Sequence, residues 1–259
     1  MNQKKDLIVG YLPTKRNIKR NNEGIALGHK NKILKAIKSF GYSVVDIEDI
    51  TPNGLLMTEN DAVKVINKFN NIKIDAVFGP HCDFGSEVPV SMVAKEINKP
   101  FLLWGPRDEA PTKEGLRFRN TQCGLFGTSK VLQRNRIPFS YIINCRLEDE
   151  EFKRGFDNFA RAANVVKMFK KLRIGQIGVR PEPFNSVICN EGELLEKFGI
   201  KVVPFNLQDI VSLAKEVIDN PNDEYNENYE IIKSLVDDNS SKDSLKLIAA
   251  LKTVIKNIS

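Results

Sequence analysis

A doubly wound α/β fold is what this sequence predicts, and three observations predict it. Short apolar runs alternate with segments of helical spacing through the first 170 residues. The runs are apolar nearly throughout, as strands are when helices cover both faces of a parallel sheet. Three of the runs also leave through a glycine, a proline and then charged residues, the kind of exit that gathers ligands at the carboxyl edge of such sheets.

The strand candidates are DLIVGYL (6–12), YSVVDIEDI (42–50), IDAVFG (74–79), FLLWG (101–105) and FSYIINC (139–145). Between the first two, GIALGHKNKILKAIKSFG places Ile25, Ile33, Leu34 and Ile37 on one face, and Gly41 provides a C-terminal stop. TENDAVKVINKFNN opens with Thr58 as N-cap and Asp61 three residues later, a capping-box arrangement. FGSEVPVSMVAKEINK follows, with a break expected near its start at Pro89. TQCGLFGTSKVLQRNR then aligns Leu125, Ser129 and Leu132. This order gives a Rossmann-like or flavodoxin-like first domain over residues 1–149.

EEFKRGFDNFARAANVVKMFKKL (150–172) reads as one long bridging helix, with Phe152, Phe156, Phe159 and Val166 as a core stripe. It opens a second α/β domain, residues 150–259. Strands are expected at 173–178 and 200–206, helices at 185–199 and 207–220, a polar loop at NPNDEYNENY (220–229), and two closing helices in YEIIKSLVDD and SSKDSLKLIAALKTVIKNIS. Two strands make a marginal sheet. The last helix, with Leu245, Ile248, Leu251 and Ile255 on one side, should lead into another buried strand, so the second domain is expected to be truncated.

Composition narrows the function classes. The net charge of +6 is spread as lysines among Asp and Glu, and the densest basic run is TKRNIKR (14–20). That pattern reads as a solvated surface rather than a nucleic-acid footprint, though a positive field still draws anionic ligands. No apolar stretch approaches the ~20 residues needed to span a bilayer, and no secretory leader is visible, so a cytoplasmic protein without membrane or nucleic-acid partners is expected. Cys82, Cys123, Cys145 and Cys189 form no C-x-x-C pair, which argues against a disulfide framework and a structural zinc site.

The chemistry is expected at the three exits, FGPHCDFGSE (78–87), LWGPRDEAP (103–111) and IGVRPEPF (177–184). Arg107 and Arg180 supply planar donor forks there, and Asp83, Asp108 and Glu182 supply acceptors for hydroxyl groups. His81 beside Cys82 and Asp83 suggests a metal ligand, but His29 is the only other histidine and no H-x-x-x-H accompanies either. No metal site is therefore assigned. G-x-S-x-G and a phosphate loop ending in G-K-[ST] are absent from the sequence, and Cys123, at the start of its helix, has no identifiable base.

Taken together, CDFGSE, KPFLLWGPRDEAP, RNTQCGLFGTSKVLQRNRIPFSYI, FARAANVVKMFKKLRIGQIGVRP and NEGELLEKFGIKVVPFNLQDIV resemble the L-fucose isomerase and L-arabinose isomerase superfamily over roughly residues 6–215. The resemblance implies an aldose–ketose isomerase with two N-terminal Rossmann-like domains and a C-terminal β-rich domain, assembled as a homo-oligomer. It implies Mn²⁺ held by a Glu, an Asp and a His that lie beyond the final helix of this chain. No catalytic residue and no cofactor is therefore expected within these 259 residues, and a C-terminal catalytic chain becomes a possible partner. What carries over is sugar contact: His81, Cys82 and Asp83 before G-S-E, Lys15 or Arg16 after the first strand, Gln122 of N-T-Q-C-G, and Arg180. Two other readings stay open, a stand-alone sugar or sugar-phosphate binding module and an interaction protein whose second sheet offers an open edge.

Overall fold

The computed structural model describes residues 5–18, 23–236 and 240–258. Lys19 and Arg20 of the basic run, and Asp237 and Asp238 of the penultimate helix pattern, lie outside the described residues. The chain divides into two compact units, Met1–Lys167 and Met168–Ser259.

The first unit holds a five-stranded sheet in the order β2-β1-β3-β4-β5. Its strands are β1 (Lys5–Tyr11), β2 (Tyr42–Val45), β3 (Ala76–Pro80), β4 (Phe101–Trp104) and β5 (Ser140–Tyr141), all paired in parallel. This is a doubly wound α/β fold of flavodoxin-like strand order. Alternation along the strands feeds two cores. Leu7, Val9, Tyr11, Phe78, Leu102 and Trp104 pack with α1 (Glu23–Ser39) and α5 (Glu150–Phe169) on one face. Val77, Phe101 and Leu103 pack with α2 (Glu59–Ile72), α3 (Glu87–Ile97) and α4 (Thr121–Arg134) on the other.

Local signals explain the helix ends. The Thr58 hydroxyl accepts from Asp61 N at 3.2 Å while the Asp61 carboxylate accepts from Thr58 N at 2.9 Å, completing the capping box. Gly41, at φ +83, closes α1 as expected. Pro89 does not break α3. The helix starts two residues earlier at Glu87, so the proline sits in the first turn, where its missing N–H is not needed.

The sequence reading divided the chain at 149/150, whereas most of α5 belongs to the first unit. The reason is its stripe: Phe152, Phe156 and Phe159 are buried in the first core, and Trp104 lies 4.3 Å from Phe152 between ring centroids.

In the second unit, β6 (Arg173–Ile177) and β7 (Lys201–Phe205) pair in parallel. Between them, residues 185–199 form less helix than expected: a short 3₁₀ turn at Asn185–Val187, then α6 (Glu191–Glu193) running into a π-helical turn. The buried core is instead helical, built from Ile210 and Ala214 of α7 (Leu207–Asp219), Tyr225 and Ile232 of α8 (Asp223–Leu235) and Leu245, Ala249 and Val254 of α9 (Lys242–Ile258). The loop expected at 220–229 is largely the start of α8. Asn222 caps it by accepting from Tyr225 N at 2.8 Å, and the polar Asn228 is buried by donating to Thr253 Oγ1 at 2.9 Å, which hides the helical period from composition.

Candidate functional site

β1 and β3 are the neighbours at which the winding direction reverses, since the chain leaves one toward β2 and the other toward β4. Their carboxyl ends therefore diverge into the crevice where open α/β sheets bind ligands. Both exits are tied together by backbone. Thr14 N donates to Pro80 O at 3.0 Å, and Cys82 N donates to Thr14 O at 3.0 Å. Thr14 Oγ1 donates to Leu56 O and accepts from Ser86 N at 3.0 Å, while Ser86 Oγ donates to Lys15 O at 2.8 Å. Asp83 Oδ1 accepts from Arg16 N at 2.9 Å and Gly85 N at 2.8 Å, closing the lattice. Gly85 takes φ +78, a conformation disfavoured for residues with a Cβ.

A third wall comes from the loop after β4. Arg119 is buried and donates to both oxygens of Glu109, from Nε at 2.8 Å and Nη2 at 2.9 Å, and to Arg107 O at 2.7 Å. His29 Nε2 donates to the same Glu109 at 3.3 Å, and burial first, then Arg119, hold the His29 pKa below its ordinary value. Asp108 accepts from Thr121 N at 3.0 Å and so fixes the start of α4. These walls enclose a cleft of about 380 Å³ lined by Arg16, Asp83, Arg117, Arg119 and Asn120, with Ile18, Phe84 and Phe118 as its apolar part. The Arg16 guanidinium lies 3.7 Å from the centroid of the Phe84 ring.

The structure sorts the sequence-predicted residues. Arg16 and Asp83 line the cleft. Lys15 is buried, and its Nζ donates to Arg16 O and Ile18 O, so it holds the loop rather than facing the cleft. Cys82 points into the hydrophobic core, where burial pushes its thiol pKa far up. Gln122 lines a different groove, with Leu125, Tyr141 and Asn144, and its buried Oε1 has no partner among the described residues. Arg107 is exposed and donates to Asn144 O at 3.3 Å. Asp108 is committed to α4. Pro80 ends β3 and Pro106 follows the adjacent β4 on one rim, whereas Arg180 belongs to the second unit, is exposed, and folds its fork onto Pro181 O and Glu182 O of its own loop.

His81 is wholly buried, and its Nδ1 lies 2.8 Å from Phe84 O. A carbonyl only accepts, so Nδ1 carries the proton, and the buried Nε2 is left without a partner among the described residues. Burial lowers its pKa to about 4 from an ordinary 6.5, against a smaller upward pull from the Phe84 carbonyl. The neutral form is thus the folded form, and the unfolded chain binds the extra proton between those values. Stability from this group is complete above pH ~6.5 and is lost as pH falls toward ~4. Between pH 8 and pH 5 wild type should lose about 2 kcal/mol more than His81→Gln in urea unfolding. Equal losses would show that His81 is not the buried neutral group described.

Among the described residues no group of three or more His, Cys, Asp and Glu is placed to hold a metal ion. No helix is long and apolar enough to cross a membrane. Arg117, Arg119 and Asn120 were not singled out in the sequence. The available signal was R-F-R-N, two arginines flanking an aromatic just ahead of a helix start.

The sulfoquinovose isomerase of Alkalicoccus urumqiensis is 27% identical over 162 residues, 62% of this chain but 36% of that protein, so the match spans little over a third of its length. A crystal structure of a galactofuranose binding protein aligns over 82% of this chain and 80% of its own, at 12% identity and a TM-score of 0.26. The family described as "Fucose/sulfoquinovose isomerase, N-terminal domain" matches residues 10–170, a stretch that contains the whole cleft. Because that stretch is more than half of the chain, the protein belongs to the fucose/sulfoquinovose isomerase family through its N-terminal domain.

Proposed function

We propose that this chain is the substrate-gripping, N-terminal part of an aldose–ketose isomerase, and that residues outside it carry the metal. One observation carries the reading: every residue lining the switch-point cleft falls inside the matched isomerase domain. The cleft's chemistry agrees. Asp83 spends Oδ1 on two backbone amides, leaving Oδ2 to accept from a sugar hydroxyl. Arg16 and Asn120 supply donors, and Phe84 and Phe118 supply flat apolar surface for the carbon face of a sugar ring.

Aldose–ketose isomerisation moves a proton between C1 and C2, and a divalent ion bound to the substrate oxygens makes the C–H bond more acidic. The described residues offer no donor set for such an ion, so their part is to bind and orient. The second unit supports a companion layer. Ile174, Ile177, Val179, Val187 and Ile188 are exposed on and after β6, and the match covers only 36% of the curated relative. Further isomerase sequence packing there would cover this surface.

Calorimetric titration of the chain with L-fucose, D-glucose and D-glucose 6-phosphate tests the reading. Saturable binding is expected for at least one, weakened about tenfold or more by Arg16→Ala, and no interconversion is expected on adding Mn²⁺ to this chain alone. Failure of all three sugars to bind would overturn the binding role. Isomerisation by the chain with Mn²⁺ alone would place the ion's ligands within it.

A further inference from the structure

The sheet of the first unit ends on two edge strands, β2 and β5, and the two are finished differently. An open edge recruits further strands unless charge, proline or a covering element guards it. β2 runs directly into Asp46, Glu48 and Asp49, and each of these carboxylates is held by a lysine of the same chain, Lys38, Lys30 and Lys68 in turn. β5 has no such guard. From Phe139 to Cys145 the sequence carries neither a charge nor a proline, and Tyr141 and Ile143 are 72% and 58% exposed.

One side of β5 is taken by β4, where Ile142 N donates to Leu103 O at 3.1 Å. Alternate amides of a strand point to opposite sides, so the N–H groups of Tyr141 and Ile143 point toward the unpaired edge. The groove between this strand and α4 adds the exposed ring of Phe126 and the buried Gln122 Oε1, which has no donor among the described residues. Buried acceptors are rarely left unmet, which suits a surface that closes on a partner.

The charges flanking β5 are sorted by sign. Arg134 and Arg136 precede it, and both are exposed. After it come Glu148, Asp149, Glu150 and Glu151, which outnumber Arg146 and the Arg107 that donates to Asn144 O. Among the described residues, none of Arg134, Arg136, Glu148, Glu150 and Glu151 takes part in an ion pair, in contrast to the carboxylates after β2. Two such edges laid side by side in parallel would oppose like charges. Laid antiparallel about a two-fold axis, the basic flank of each meets the acidic flank of the other, and both contacts form at once. The edge is therefore complementary to itself in one orientation only.

We propose that β5 is a self-association edge, through which two copies of this chain pair antiparallel about a two-fold axis and join their sheets into one.

Sedimentation equilibrium of the full chain over a series of concentrations tests this. A reversible monomer–dimer equilibrium is expected, and added NaCl should weaken it. Ile143→Lys places a charge on the exposed edge without entering the core, and it should raise the dissociation constant at least about tenfold. Arg136→Glu and Glu148→Arg should each weaken association by about tenfold or more. An equimolar mixture of those two variants should dimerise again, because every flank then faces the opposite sign. Far-UV circular dichroism checks that all three variants remain folded. A chain that stays monomeric, or a dimer indifferent to Ile143→Lys, would overturn the proposal. Single charge variants that associate as tightly as wild type, or a mixture that fails to recover, would rule out the antiparallel pairing on which it rests.

Discussion

Phe156→Ala is expected to destabilise the first unit by about 3–5 kcal/mol, the cost of emptying a large aromatic site in a packed core. Phe156 is fully buried, and its ring meets Phe78 at 5.2 Å, Tyr42 at 5.5 Å and Phe40 at 5.9 Å between centroids. Those three partners sit on β3, at the start of β2 and just after α1, so one truncation loosens three elements. The edge-to-face contacts with Phe78 and Tyr42 add to the area term, since such pairs contribute about 0.5–1.5 kcal/mol beyond burial. Thermal unfolding should show a drop of roughly 6–20 °C. A loss below about 1 kcal/mol in urea unfolding would mean that the α5 stripe does not enter the core.

Gly124→Ala carries the second large effect, and it links packing to function. A Cβ at Gly124 would run into the backbone of Phe84, with the carbonyl oxygen nearest, the carbonyl carbon at 2.6 Å and Cα at 3.0 Å. Backbone atoms cannot rotate aside, so either α4 or the loop after β3 must move. Overpacking of this kind costs about 3 kcal/mol, which outweighs the gain of up to ~1 kcal/mol from replacing a helical glycine. The displaced residue is the one whose carbonyl holds His81 Nδ1 and whose ring carries Arg16. Sugar binding should therefore fall with stability. Gly28→Ala is the matched control. Gly28 lies in α1 with nothing within 4 Å of its Cβ position, and that change should stabilise by roughly 0.5–1 kcal/mol. The same sign for both variants, measured by calorimetry, would contradict the close approach of α4 to the β3 exit.

Much of this fold was legible because its signals are local. Near-continuous apolar runs marked β1, β3 and β4 closely, Thr58 and Asp61 marked the start of α2, and Phe152, Phe156 and Phe159 of α5 announced their own burial. The start of α8 was not legible, since Tyr225 and Asn228 find their environment only when α9 arrives. In the site, Asp83 followed from a strand exit, while Arg16 came, as an alternative to Lys15, from the family resemblance. Cys82 was read as a cleft residue, yet it shares the parity of Phe78 and Pro80 and so continues toward the core that takes Phe78. Arg119 could not be placed from sequence, because its burial depends on Glu109 and the Arg107 carbonyl folding over it from the preceding loop.

The account stands or falls on where a sugar settles. Backbone amide resonances of the labelled chain, followed during titration with D-glucose 6-phosphate, give the most direct answer. Shifts are expected at residues 14–18, 81–86 and 117–120, around the cleft between the β1 and β3 exits. Shifts confined to the groove bearing Gln122 and Tyr141, or to the second unit's cleft between Leu213 and Ile258, would contradict it.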